Sequence, residues 1–340
     1  MSSVRNVTLS FRDGKATSVA VQQGDSVLDA ALAAGIPVIH QCRSGSCSSC
    51  MAKLVEGRAG MRAGASSTLL RSEYDAGDRL LCLTEPETDC AFTLNYESNA
   101  GSTQVAKAHA FVDSIDKVAT NVVRLRLELA EGAWLDFKPG QFIQVRVPGT
   151  YVTRSYSPAS TAADLPKIEL LIRVLEDGVM SKWLEHEAKA DDVLEIEGPF
   201  GSFFLREKVP APHIMVAGGT GLAPILSMID TLRRQPGRKP PILLSFGCAT
   251  PEQLFALDDL ELRRQWLPNL TTRISVDHHA SGELLCGNPV DAICEADVAH
   301  ENAVAYLCGP PRMIEAATMK LLNLGLRAEN IYAEQFAASN

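Results

Sequence analysis

The chain has 340 residues, too many for one ordinary hydrophobic core and enough for two or three domains. It is 46% hydrophobic and 21% charged, with a formal net charge of −9 and no cluster of Lys or Arg, so nucleic acid is excluded as the main partner. No apolar run approaches the roughly 20 residues of a membrane helix, and Met1–Asn6 lacks a signal-peptide core, so a cytoplasmic protein away from the membrane is expected.

In chain order, Val4–Phe11 and Ala16–Val21 alternate in polarity around Arg12-Asp13-Gly14-Lys15, which predicts a hairpin with an Asp-Gly turn. Ser26 is placed to cap a helix over Val27–Ala34, and Gly35 to end it. The Ser, Gly and Cys composition from Cys42 to Met51 predicts a loop.

A reducing compartment keeps thiols reduced, so the nine cysteines need a use other than disulfides. Cys42-x4-Cys47-x2-Cys50 with a distant Cys82 has the spacing of plant-type [2Fe–2S] proteins. Two irons require four thiolates; three from one short loop wrap one side of the cluster and a remote fourth closes it. The small residues Ser44, Gly45, Ser46, Ser48 and Ser49 leave backbone N–H groups free to point at sulfur. A structural zinc site is the bland alternative, although zinc loops place their ligands in pairs and Cys82 stands alone. A Rieske centre would need two histidines, and only His40 is near. Plant-type loops usually carry glycine where Ser48 stands, so Ser48 would be strained if that backbone needs a positive φ.

Ser98–Gln104 is small and polar, and is read as a flexible linker within residues 98–107. Residues 108–208 follow, with strands expected at Val122–Leu129, Phe142–Val147 and Ile168–Val174 and one helix over Ser181–Ala188. This pattern suits a small antiparallel β-barrel. Arg154-Ser155-Tyr156-Ser157 offers a phosphate-binding Arg, a stacking ring and a hydroxyl. Alone it is a weak signal, indistinguishable from an ordinary strand end. Arg173 and Gly178-Val179-Met180-Ser181 come next, the latter at the start of the barrel's helix where free N–H groups can bind a pyrophosphate.

Residues 209–340 alternate strand and helix, which predicts a parallel, doubly wound α/β sheet. Gly218-Gly219-Thr220-Gly221 follows the strand Ile214–Ala217 and opens the helix Leu222–Arg233, with the N–H groups of a phosphate cradle. It is neither a Walker A loop nor the Gly-x-Gly-x-x-Gly turn. Cys308-Gly309-Pro310-Pro311 ends the strand Ala303–Leu307; a lone Cys in such a place is more often core than site. Glu334-Gln335-Phe336 lies near the C-terminus. Cys90, Cys248, Cys286 and Cys294 have no partner spacing and read as buried small residues, and adjacent His278 and His279 as an exposed loop.

Taken in this order, the motifs from about residue 105 onward resemble the ferredoxin–NADP reductase superfamily. With a plant-type ferredoxin placed N-terminally (residues 1–97), the chain resembles reductase components of Rieske aromatic-ring dioxygenases of the benzoate/toluate/anthranilate type. Gly178–Ser181, Gly201–Glu207 and Leu307–Pro311 carry that likeness. The resemblance implies a β-grasp-type α+β ferredoxin domain, an antiparallel β-barrel for FAD and a doubly wound domain for NADH. It implies FAD on Arg154, Tyr156, Ser157, Arg173, Gly178, Val179, Met180 and Ser181, and nicotinamide pyrophosphate at Gly219, Thr220 and Gly221. Cys308 would lie near the nicotinamide and Phe336 or Glu334 near the flavin ring; the roles expected on that basis are nicotinamide placement for Cys308 and Glu334 and a hydrogen bond to the flavin's reactive nitrogen for Ser157. FMN-containing relatives place the ferredoxin C-terminally, so the domain order favours FAD. Phe246–Gln253 holds no Arg or Lys and includes Glu252, which favours NADH over NADPH. The expected partner is a terminal Rieske non-haem iron oxygenase, and the free chain is expected to be a monomer. A di-iron monooxygenase as partner is the alternative, and a zinc-stabilised, non-catalytic adaptor the remote one.

Overall fold

The computed structural model describes residues 4–62, 64–65, 67–102, 104–206 and 211–336. The chain divides into two compact units, Met1–Gln104 with Phe200–Ser202, and Val105–Pro199 with Phe203–Asn340.

In the first unit, β1 (Arg5–Ser10) and β2 (Ala16–Val21) pair antiparallel around the predicted turn. Their alternation buries Val7, Leu9, Val19 and Val21 on one face. The Asp13 carboxylate accepts the Ser98 hydroxyl at 2.6 Å, tying the turn to the end of this unit. Ser26 accepts the Asp29 N–H at 3.1 Å and caps α1 (Val27–Ala33), which ends before Gly35 at φ +71. β3 (Met51–Glu56), β4 (Ala59–Met61), α2 (Arg71–Asp75), β5 (Asp78–Leu80), β6 (Thr84–Pro86) and β7 (Cys90–Thr93) follow. The main sheet has the order β2-β1-β7-β3-β5, with β1 and β7 parallel and the other pairs antiparallel. Leu28 of α1 and Leu80, Leu81, Phe92 and Tyr96 are fully buried, giving the mixed sheet and covering helix of a β-grasp domain.

The presumed linker is less free than its composition suggests. Ala100–Ser102 forms a single 3-10 turn, Ala100 is buried, and a Cβ on Gly101 would stand 1.9 Å from the Pro37 carbonyl oxygen. Small residues here serve close approach to the ferredoxin domain rather than flexibility. Thr103 lies outside the described residues.

The second unit opens with β8 (Ala106–Ala119), β9 (Val122–Leu129), β10 (Phe142–Arg146), β11 (Thr153–Tyr156) and β12 (Lys167–Arg173). α3 (Val179–His186) and β13 (Val193–Phe200) complete this part. The strands form one sheet in the order β11-β10-β13-β8-β9-β12, and an antiparallel bridge from Pro158 to Leu170 joins its ends into a barrel. Leu125, Leu127, Ile143, Val145, Leu170 and Ile196 fill the interior, with Met180, Trp183 and Leu184 of α3 packed against them. α3 begins two residues earlier than expected, because Gly178 is its N-cap. The Ser181 hydroxyl instead turns back to accept the Leu175 N–H at 2.9 Å.

The remainder contains β14 (His213–Gly218), α4 (Leu222–Arg234), β15 (Ile242–Cys248), α5 (Leu257–Trp266), β16 (Leu270–Val276), β17 (Leu285–Cys286), β18 (Val304–Gly309), α6 (Pro311–Asn323) and β19 (Ile331–Gln335). The sheet is parallel, in the order β17-β16-β15-β14-β18-β19. Apolar layers cover both faces, one around Met215, Leu226 and Phe246, the other around Ile214, Leu307 and Ile314. Strand order reverses between β14 and β18, so the carboxyl ends of those strands form the crevice where doubly wound sheets bind ligands. The expected boundary at 208/209 and Glu207 lie outside the described residues. No helix among the described residues is long and apolar enough to cross a membrane.

Candidate functional site

The four cysteines expected to hold the cluster meet as two pairs. Cys47 Sγ lies 3.1 Å from Cys42 Sγ, and the buried Cys50 and Cys82 thiols hydrogen-bond to each other. Backbone N–H groups already point at sulfur: Ser44 N–H donates to Cys42 Sγ at 3.4 Å and Cys42 N–H to Cys47 Sγ at 3.5 Å. Four soft donors in two pairs, with N–H groups aimed at them, fit a binuclear cluster sharing its charge over sulfur. The left-handed turns fall at Arg43 (φ 55) and Gly45 (φ 83) and not at Ser48, so the strain considered for Ser48 does not arise. Arg43 is held instead by the Asp29 carboxylate of α1. Thr68 donates both its N–H (3.0 Å) and its hydroxyl (3.2 Å) to the Gly45 carbonyl and straps the loop from outside. Neither contact has a sequence signature, because each joins residues far apart in the chain. His40 is a loop residue whose Nδ1 lies 2.8 Å from the Val38 carbonyl oxygen.

In the barrel, Arg154 and Tyr156 alternate along β11 on one face, and Ser157 follows, buried. Burial pushes the Tyr156 phenol upward. Arg173 is exposed at the end of β12. Val179, Met180 and Ser181 form the first turn of α3, where N–H groups have no acceptor within the helix. A diphosphate fits such an end.

At the crevice, Gly219–Gly221 forms a tight turn between β14 and α4. A Cβ on Gly221 would stand 2.2 Å from the Cys308 carbonyl oxygen, so only glycine lets this turn press against β18. β18 and β19 set Cys308 opposite Glu334. The Ser157 hydroxyl donates to Glu334 Oε2 at 3.5 Å, so residues 177 positions apart share one site. The surrounding protein pushes the Glu334 carboxyl up to about 8, and the Ser157 hydroxyl draws it back down. Cys308 is wholly buried; burial and then Glu334 drive its thiol well above the ordinary value. Its side chain belongs to the apolar layer, so it shapes the site from behind. Phe336 donates its N–H to the Gly309 carbonyl at 2.8 Å and packs, half-buried, against the same layer.

Two of the unassigned cysteines depart from expectation. Cys90 is buried and Cys248 partly so, but Cys286 and Cys294 are exposed. Cys286 sits on the edge strand β17 and Cys294 caps the one-turn helix Glu295–Asp297. General burial preference gives way there to position at a sheet edge and a helix end. His278 and His279 are exposed, as expected.

The 2Fe-2S iron-sulfur cluster binding domain family matches residues 10–87, which include all four thiols and answer the zinc alternative. The oxidoreductase FAD-binding domain family matches 109–205, and the oxidoreductase NAD-binding domain family 215–319. The toluate 1,2-dioxygenase electron transfer component of Pseudomonas putida is 32% identical over 98% of each chain. The propane 2-monooxygenase reductase component of Mycolicibacterium smegmatis is 30% identical over 94% of each. Among solved structures, the Amycolatopsis cytochrome P450 reductase GcoB has a TM-score of 0.72 and 28% identity, covering 98% of this chain and 99% of its own. The chain therefore belongs to the family of ferredoxin-fused flavoprotein reductases, NADH oxidoreductases that hold FAD and a [2Fe–2S] cluster.

Proposed function

We propose that this chain carries electrons from NADH to the terminal oxygenase of an aromatic-ring dioxygenase, a Rieske non-haem iron protein of the benzoate, toluate or anthranilate type. The observation that carries this reading is full-length likeness to the toluate 1,2-dioxygenase electron transfer component, which spans the paired-thiol loop and the reductase site alike. FAD would supply a two-electron acceptor for hydride that can release electrons singly, and the [2Fe–2S] cluster a one-electron carrier.

The chain's own residues prepare for this. Arg154, Arg173 and the first turn of α3 would hold the FAD diphosphate, Tyr156 would offer its face to the flat ring, and the Ser157 hydroxyl would offer a hydrogen bond to the flavin's reactive nitrogen. Gly219, Thr220 and Gly221 offer N–H groups to the nicotinamide diphosphate. Cys308 and Glu334 would shape the nicotinamide site, and Phe336 would shield the flavin in the absence of nicotinamide. The stretch Phe246–Gln253, free of Lys and Arg and holding the exposed Glu252, favours NADH because a 2′-phosphate would find no cation there. We divide the chain into a ferredoxin domain (1–97), a flavin barrel (108–208) and a nicotinamide domain (209–340), and take it as a cytoplasmic monomer when free. Nine cysteines without a disulfide suit that reducing compartment.

A di-iron monooxygenase is the second reading, favoured by the 94% coverage of the propane 2-monooxygenase reductase component. Acceptor competition separates the two. NADH-reduced protein is mixed with a Rieske dioxygenase of the benzoate type or with a di-iron hydroxylase, and product is counted per NADH consumed. Coupled turnover with the dioxygenase alone is expected; coupled turnover with the hydroxylase alone would reverse the assignment.

A further inference from the structure

We propose that the Ser160–Asp164 turn of the flavin barrel and helix α4 form a clasp that sets the nicotinamide-to-flavin geometry, with Ser227 and Arg234 as its positioning residues. The proposal rests on the functional reading above, which puts flavin groups on Arg154–Ser157 and the nicotinamide diphosphate on Gly219–Gly221.

The clasp grips α4 at two points. At mid-helix the buried Ser227 hydroxyl donates to the Ser160 carbonyl at 2.7 Å. At the last residue, Arg234 Nη1 meets Thr161 Oγ1 at 2.5 Å and Nη2 meets Asp164 Oδ1 at 2.5 Å. The acceptor is preformed, because Asp164 already accepts the Thr161 N–H at 2.9 Å and hydroxyl at 2.8 Å. It is also rigid with respect to the flavin strand. Ser160 lies three residues after Ser157, its hydroxyl accepts the Glu169 N–H at 3.0 Å, and Ala159 N–H donates to the Glu169 carbonyl at 2.8 Å.

A second path closes a ring. Asp230 of α4 holds Arg263 of α5 with two bonds, at 3.1 and 2.6 Å. Asp259 of α5 pairs with Arg124 of β9, and Arg124 lies 3.5 Å from Glu169. Starting and ending at Glu169, the ring runs through the turn, α4, α5 and β9. Sliding or rolling the helix would strain the charge-assisted Arg234–Asp164 and Asp230–Arg263 bonds.

The lever arm explains why this matters for chemistry. α4 is about 20 Å long, with the dinucleotide turn at one end and Arg234 at the other, so a tilt of a few degrees moves one end by about 1 Å. A displacement of that size costs on the order of 100-fold in a hydride-transfer step that depends on near-contact of the reacting atoms. The clasp acts on the rate of transfer and leaves the diphosphate contacts intact.

The test uses the FAD- and cluster-loaded protein, mixed rapidly with NADH without oxygen. Wild type is compared with Arg234→Gln, Arg234→Lys, Ser227→Ala and a control, Arg264→Gln, whose side chain pairs on the surface with Glu261. Arg234→Gln and Ser227→Ala are expected to lower the limiting rate of flavin bleaching about tenfold or more. Their FAD content and half-saturating NADH concentration should hold, and the isotope effect with deuterated NADH should change. Arg234→Lys should recover part of the rate, and the control should match wild type. A wild-type rate in Arg234→Gln, or a loss lying wholly in NADH affinity or FAD content, overturns the clasp. If Arg234→Gln does not fold, Ser227→Ala decides by the same criteria. A wild type whose flavin NADH does not bleach overturns the functional reading itself, a result distinct from any variant's failure.

Discussion

Glu334 shows how a single carboxyl acquires a role from its neighbours. The protein around it favours the neutral acid, with its pKa raised to about 8, while the Ser157 hydroxyl at 3.5 Å supports the charged form. A group raised from an ordinary 4.5 binds more protons when folded, so its contribution to stability is complete below about 4.5 and is lost as pH rises through about 8. Glu334→Gln should therefore show a flatter melting-temperature profile than wild type between those values. A mutant profile parallel to wild type would contradict the shift. Spacing made the three loop cysteines legible as candidate ligands, because residues in one loop obey a local rule; Cys82 joined them only through its place in the plant-type pattern. Ser157 and Glu334 were legible only as members of an ordered motif set, since nothing local links residues 177 apart. Cys286 and Cys294 are exposed against expectation, because exposure at an edge strand or a helix cap depends on neighbours that composition does not name.

Elements followed their local signals where those signals were backbone chemistry. Ser26 caps α1 and Gly35 ends it, as the residues dictate. Ser26→Ala should cost about 1 kcal/mol, measured by chemical denaturation of the ferredoxin unit's transition. No change in the midpoint would mean that the cap hydrogen bond is replaced by water at no cost. Strand positions in the barrel and the parallel sheet were close to expectation, with ends displaced by a residue or two. α3 shifted as a whole by two residues, because the Ser181 hydroxyl serves the preceding loop and leaves the capping position to Gly178. Ala100–Ser102 was the element composition hid: the same small residues serve a flexible linker and a tight contact. Gly101→Val would force a side chain onto the Pro37 carbonyl, where even a Cβ would stand at 1.9 Å. Limited proteolysis should then cut the variant between residues 98 and 106 faster than wild type; equal rates would show that the contact is dispensable.

At the scale of the whole molecule, one chain combines a paired-thiol ferredoxin unit with a flavin barrel and a parallel sheet. The carboxyl ends of β14 and β18 present the glycine turn and the Cys308–Glu334 pair at the strand-order reversal. Strand–helix alternation made the doubly wound sheet legible, and clustered short strands did so for the barrel. The tie between barrel and sheet through α4 was not legible, because Ser160, Thr161, Asp164, Ser227 and Arg234 are ordinary surface-type residues until the fold assembles them. A relay from NADH through FAD to the cluster can be followed by adding NADH to the loaded protein without oxygen and recording visible absorption together with low-temperature electron paramagnetic resonance. Flavin bleaching followed by the signal of a reduced [2Fe–2S] cluster is expected, and in Cys82→Ser bleaching without that signal. Flavin that NADH leaves oxidised, or a cluster that stays oxidised beside bleached flavin, would contradict it.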